Sequence, residues 1–221
     1  MTESRNKAGD QYQLQPEGIA GADGMGRAVG VDGGVSAGSL LRELIETVVL
    51  ALVLFLVIRQ VVQNYRIESH SMEPNFYEGQ FVLVSKLAYK LGTPHRGEVL
   101  VFHNPNNAKE DYIKRIIGLP GDQVEVVADT ILINGQELPQ PYDHQLNLEG
   151  NNYGPIVVPD NSLFVMGDNR PRSSDSRAIG PIDENLVVGR AWLRIWPLNL
   201  FGLVKHYELE PGGDAAAGAT P

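Results

Sequence analysis

The chain contains no cysteine. That absence removes disulfides, thiolate-bound zinc, iron–sulfur clusters and a thiol nucleophile. It leaves the compartment open. Histidine is scarce too: His70, His95, His103, His144 and His206 are scattered, and none forms an H-x-x-x-H pair, so a histidine-based metal site has little support. Basic residues are in deficit, 18 Lys and Arg against 27 Asp and Glu for a formal net charge of −9. Nucleic acid is therefore not the expected partner, because phosphate binding needs a basic face. No internal repeat is visible.

What is present is strongly partitioned. Residues 1–38 are rich in Gly, Asp, Ala and polar residues without apolar period, and are expected to be a disordered tail. A secretory signal peptide would place its apolar run nearer the start. Leu40 to Val62 follows, with Val48 to Ile58 unbroken apolar. As a helix, 23 residues would be about 34 Å long, enough for a bilayer core of about 30 Å. Arg42 and Glu46 stand four apart and can pair, and Arg59 can snorkel to the headgroups. A buried soluble helix is the alternative, but a helix apolar all round needs a large protein around it, and this chain is small. Arg5, Lys7, Arg27 and Arg42 precede the span, whereas Arg59 and Arg66 follow it closely. The positive-inside rule then places the N-terminus in the cytoplasm.

From about Gln63 the pattern is that of strands. QFVLVSK (80–86), EVLVF (98–102), DQVEVV (122–127), SLFVM (162–166) and VVGRAWLRIW (187–196) are short apolar or alternating runs. TILINGQEL (130–138) carries Asn134-Gly135, a type I′ hairpin signal. Residues 140–159 are rich in Asn, Pro and Gly and are expected to be a long connection. The fold class is mainly β: a compact barrel-like domain over 63–207, preceded by one N-terminal transmembrane helix over 40–62. Residues 208–221 are expected to form a second disordered tail.

Three segments concentrate polar residues between apolar strands: 68–74, 111–122 and 165–177. In the second, strand alternation puts Tyr112, Lys114 and Ile116 on one face and Ile113, Arg115 and Ile117 on the other. One of the two cations then lies against a packed surface, unless both are charges on an edge strand. Burial destabilises an ammonium and lowers its pKa, and a neutral lysine is a competent base. Ser71, at a turn before Met72-Glu73-Pro74, is a nucleophile only if a base takes its proton; otherwise it is a loop or cap residue. A triad built on the adjacent His70 is disfavoured, because neighbouring side chains diverge on extended chain. In the third segment Asp168, Arg170, Arg172, Asp175 and Arg177 form either a crosslinked loop under a site or a solvated one.

Taken together the segments resemble a known family. Ser69-His70-Ser71-Met72-Glu73-Pro74 is similar to an S-G-S-M-x-P box, and Lys114 through Asp122 to K-R-x-x-G-x-P-G-D. Gly167 through Arg177 is similar to G-D-N-R-x-x-S-x-D-S-R, and Arg96-Gly97-Glu98-Val99 to the strand start between the first two boxes. Their order, spacing and preceding apolar helix resemble bacterial type I signal peptidase, over about Leu40 to Tyr207. The resemblance implies a serine endopeptidase in which Ser71 attacks the scissile carbonyl and Lys114 takes its proton. Ser69 and the Ser71 N–H would hold the oxyanion. Ser173 would orient the lysine, and Asp168, Arg115, Asp175 and Arg177 would brace the site. It also implies no metal and no organic cofactor. The implied partners are preproteins cleaved at A-x-A-like sites and the lipid bilayer. The implied location is the plasma membrane, single-pass, with the catalytic domain outside the cytoplasm. A Ser-Lys peptidase with one dedicated substrate and a catalytically silent β-domain are the alternatives. His70 stands where Gly is usual, Asn75 where Thr is usual, and Arg172 where Asn is common.

Overall fold

The computed structural model describes residues 37–146, 152–213 and 219–220. The expected N-terminal tail up to residue 36 lies outside them. Its first element is α1, Ala37–Val61, none of whose residues is buried. By length and composition it can cross a membrane, as the 23-residue apolar stretch predicts, and at 25 residues it is about 37 Å long.

The rest is mainly β, in chain order β1 (Val62–Arg66), β2 (Phe81–Ser85), the short α2 (Ala88–Leu91), β3 (Val99–Asn104), β4 (Asn107–Gly118), β5 (Gln123–Val127), β6 (Thr130–Ile133), β7 (Gln136–Glu137), β8 (Tyr153–Val157), β9 (Ser162–Met166), α3 (Ser176–Ile179), β10 (Ile182–Asp183), β11 (Val187–Trp196), β12 (Gly202–Leu203), β13 (His206–Tyr207) and β14 (Ala219–Thr220). The expected barrel-like domain takes the form of an eight-stranded antiparallel sheet, ordered β1-β2-β11-β3-β4-β9-β10, with β12 on β11. A four-stranded sheet, β7-β6-β5-β8, lies beside it in the chain. Asn134 and Gly135 turn β6 into β7 with φ of 53° and 80°, the left-handed pair that a type I′ turn needs. β8 falls in the stretch expected to be a plain connection.

Period-two alternation explains how one sheet serves several cores. In β3, Val99 and Val101 join one buried cluster with Met72, Phe76, Val82 and Ile113. Leu100 and Phe102 join another with Ile116, Leu163 and Val165. β9 does the same: Phe164 and Met166 enter the third cluster, around Ile117, Val124, Ile131 and Val158. β3, β4 and β9 are thus covered on both faces, which suits their apolar runs. The expected C-terminal tail starts inside packed structure. Leu209 is buried, Ala219–Thr220 pairs with β13, and a Cβ on Gly97 (φ +89°) would strike the Tyr207 carbonyl and Leu209.

Candidate active site

β4 lies between β3 and β9, and buried clusters cover both its faces where Lys114 and Arg115 stand, with Ile113 and Ile117 on one side and Ile116 on the other. Alternation predicts one buried cation. Two are found: Lys114 is 2% exposed and Arg115 1%. The one-cation expectation assumed a sheet with one wet face, and β4 has none.

The two cations tolerate burial by different chemistry. A guanidinium does not release its proton, so Arg115 needs a carboxylate. Asp168 supplies one in a two-pronged pair, Nε to Oδ1 at 2.9 Å and Nη2 to Oδ2 at 2.7 Å, and Arg115 Nη1 donates to the Gly97 carbonyl at 2.7 Å. Burial alone would lower its pKa; Asp168 outweighs that and raises it. Lys114 has no paired carboxylate. Its Nζ donates to Ser71 Oγ at 2.8 Å and to the Ile113 carbonyl at 2.9 Å. Burial pulls its pKa from 10.5 down to about 8, against weaker opposing pulls from Asp175 and Asp168. An amine of that pKa is substantially neutral under mildly basic conditions.

Ser71 is held as firmly as its partner. Met72 and Phe76 are buried on either side of the turn, Phe76 N–H closes onto the Met72 carbonyl at 2.9 Å, and Asn169 N–H onto the Ser71 carbonyl at 2.9 Å. Ser69 Oγ lies 3.2 Å from Ser71 Oγ. His70 faces away, its Nδ1 bonded to Glu73 Oε1 at 2.8 Å and its Nε2 3.6 Å from Glu78. This side chain therefore takes no part in the Ser71–Lys114 contact.

The loop after β9 supports both. Gly167 permits its approach: a Cβ there would collide with Ser173 Oγ and the Ser71 carbonyl. Asp175 accepts the Gly167 N–H at 3.0 Å and pairs with Arg177 through both oxygens at 2.8 Å. Burial would raise the Asp175 pKa, but Arg177 and that N–H hold it below the ordinary aspartate range. Arg177 also donates to the Arg170 carbonyl at 2.8 Å. The Ser173 hydroxyl adds to the pull that keeps Asp175 low, and the hydrogen bonds of Lys114 go to Ser71 and the Ile113 carbonyl.

Further residues complete the brace. Asn75 Nδ2 donates to Asp168 Oδ2 at 2.8 Å and to the Asp143 carbonyl. Tyr142 stacks on the Arg115 guanidinium, 4.1 Å from ring centre to Cζ. Buried Arg170 donates to the Gly167 carbonyl, Gln140 and the Tyr142 hydroxyl. Ser71 and Lys114 open onto a groove of about 560 Å³ between the Tyr65–Ser69 backbone and the Lys109–Lys114 stretch of β4, with Ile67, Val82, Val101 and Ile113 among its apolar lining. Among the described residues no cluster of His, Asp or Glu could hold a metal ion.

A seryl hydroxyl bonded to a buried amine, at the edge of an open groove, is the arrangement of a serine hydrolase that dispenses with histidine. Comparison with known proteins makes the class particular. Residues 41–196 match the family described as signal peptidase, peptidase S26. Signal peptidase IB of Staphylococcus aureus (strain Mu50 / ATCC 700699) is 38% identical over 183 residues, 76% of this chain and 93% of that protein. Signal peptidase I of Leptolyngbya laminosa is 40% identical over 180 residues, 75% of this chain and 85% of that protein. A crystal structure of a signal peptidase I from Enterococcus faecalis V583 aligns with 44% of this chain and 96% of its own, at 33% identity and a TM-score of 0.38. The chain belongs to the signal peptidase, peptidase S26 family. It is a serine peptidase of the signal peptidase kind, a hydrolase of peptide bonds.

Proposed function

We propose that Ser71 is the nucleophile and Lys114 the general base of a membrane-tethered signal peptidase that cleaves preproteins after small residues in an A-x-A-like pattern. The 2.8 Å contact between Lys114 Nζ and Ser71 Oγ carries the reading. Neutral Lys114 accepts the hydroxyl proton as Ser71 Oγ bonds to the scissile carbonyl carbon. The Ser69 hydroxyl, 3.2 Å from Ser71 Oγ, and the Ser71 N–H then hold the developing oxyanion. Collapse of the intermediate breaks the C–N bond, with the Lys114 proton passing to the leaving amine. Water, deprotonated by the same amine, then releases the acyl group. The groove's small aliphatic lining favours short P-side residues, and its two extended walls suit a substrate in strand form.

α1 supports the tether. Nine residues separate its last residue, Val61, from Ser71, which keeps the nucleophile near the membrane face where tethered signal peptides arrive and raises their effective concentration. The bias of basic residues before the span supports a cytoplasmic N-terminus and a catalytic domain on the other side. The test is cleavage of an A-x-A preprotein by the full chain in detergent. Ser71→Ala and Lys114→Met are each expected to lose about 10⁴-fold or more in kcat/KM, with circular dichroism unchanged. Activity surviving in either variant refutes the assignment.

A further inference from the structure

In a chain of net charge −9, one recess has the opposite sign. It has a volume of about 260 Å³ and is lined by Pro74, Asn75, Phe76, Arg115, Arg194, Leu203 and Lys205, with no carboxylate among them. Asp168 neutralises Arg115. Arg194 and Lys205 have no acidic partner among the described residues. The Arg194 guanidinium lies over the Phe76 ring at 5.0 Å and spends Nη2 on the Asn75 carbonyl, but its Nε is buried with no hydrogen-bond partner. Burial pulls its pKa below the arginine range, the direction expected of a cation short of counter-charge.

Beside the recess, the end of β11, the Leu198–Leu200 turn and β12 expose Trp192, Trp196, Leu198, Leu200, Phe201 and Leu203. Leu198 is 71% exposed and Phe201 61%. Soluble surfaces rarely concentrate so many large apolar side chains, and tryptophan beside basic residues is the composition of a membrane interface.

We propose that this recess seats the phosphate of an anionic lipid headgroup, with Arg194 and Lys205 as its ligands and the adjoining apolar apron in the outer edge of the bilayer. The proposal rests on the membrane-tether reading above. Charge complementarity selects the occupant: two uncompensated cations match one phosphate, and Leu203, lining the recess and half-exposed, places acyl chains and headgroup together. A seated phosphate also bears on the site, because Arg194 holds the carbonyl of Asn75, four residues past the nucleophile.

The chain's two tryptophans, Trp192 and Trp196, both lie in the apron and report on it directly. The full chain is reconstituted in phosphatidylcholine vesicles containing either brominated phosphatidylglycerol or brominated phosphatidylcholine at equal mole fraction, and tryptophan quenching is compared. Preferential quenching by the anionic lipid is expected. Lys205→Gln, which breaks no hydrogen bond, should weaken the preference about fivefold, and adding Arg194→Gln should abolish it. Equal quenching by both lipids, with the protein retained through an alkaline carbonate wash, overturns the headgroup seat and leaves the tether intact. Loss of the protein in the wash overturns both. No lipid preference, but a tryptophan shift with inorganic phosphate in detergent, assigns the recess to a free anion and overturns the lipid proposal.

Discussion

On the proposed assignment, the pKa of Lys114 sets how much base the enzyme has, and so the shape of its pH profile. Lowering it from 10.5 to about 8 corresponds to about 3 kcal/mol of differential stabilisation. At pH 7 about a tenth of the molecules then carry neutral Lys114, against about three in ten thousand for an unshifted lysine, a gain of some three-hundredfold. With the enzyme in excess over an A-x-A preprotein, single-turnover cleavage should rise about tenfold per pH unit from 6 to 7.5 and level off near pH 8–9. Stability carries the same signature. Below about pH 8 the lysine is protonated in both folded and unfolded chains, and the folded state bears the full cost of its burial. That cost fades as pH rises from about 8 to 10.5, because only the unfolded chain still binds the proton. Relative to Lys114→Met, the wild type should therefore be about 3 kcal/mol less stable at pH 7 and recover above pH 10. An inflection near 6.5, or one that persists in Lys114→Met, would refute the reasoning and point to a histidine.

Asp168→Asn should leave Arg115 buried without its counter-charge and cost about 3–5 kcal/mol in denaturant unfolding, while replacing both partners by apolar residues should recover most of it; a single-variant loss below 1 kcal/mol would contradict the pairing. Gly167→Ala forces the loop off the Ser71 carbonyl and Ser173, so kcat/KM should drop about 10²-fold with little change in circular dichroism, and near-wild-type cleavage would show that the approach is not needed. His206 accepts the Val99 N–H through Nδ1 at 3.2 Å, and its Nε2 lies 2.9 Å from the Ala191 carbonyl. Burial foremost lowers its pKa from 6.5 to about 4. Its contribution is present above pH 6.5 and is lost as pH falls toward 4, about 3 kcal/mol in all, so the pH slope of thermal unfolding in that window should flatten in His206→Gln.

Much of this was readable in advance, for physical reasons. β9 and β11 fall on their predicted runs because uninterrupted apolar or β-branched stretches bounded by Pro, Gly and Asn have few other uses. Asn134-Gly135 turned where it should because few pairs accept two positive φ angles. β1 was missed: VQNYR has no apolar alternation, and its pairing with β2 supplies the order that its sequence does not announce. β8 was missed because Gly154-Pro155 reads as a breaker, although strand pairing to β5 accommodates it. In the site, Ser71 and Lys114 stand out as a lone serine turn and a lysine among isoleucines. Asn75 and Tyr142 do not, since nothing local marks an asparagine that will meet a carboxylate 93 positions away. The double burial at 114 and 115 needed knowledge of which strands flank β4, and that is a property of topology.

The Ser71–Lys114 bond spans 43 positions of sequence, and on the proposed assignment the lysine becomes a base only inside completed packing. Before β3 and β9 close around β4, Lys114 is an ordinary solvated ammonium and Ser71 an ordinary alcohol. A nascent or half-folded copy is therefore chemically inert, although it already carries every catalytic group. Reactivity on that assignment is a property of the packed sheet and not of either residue alone.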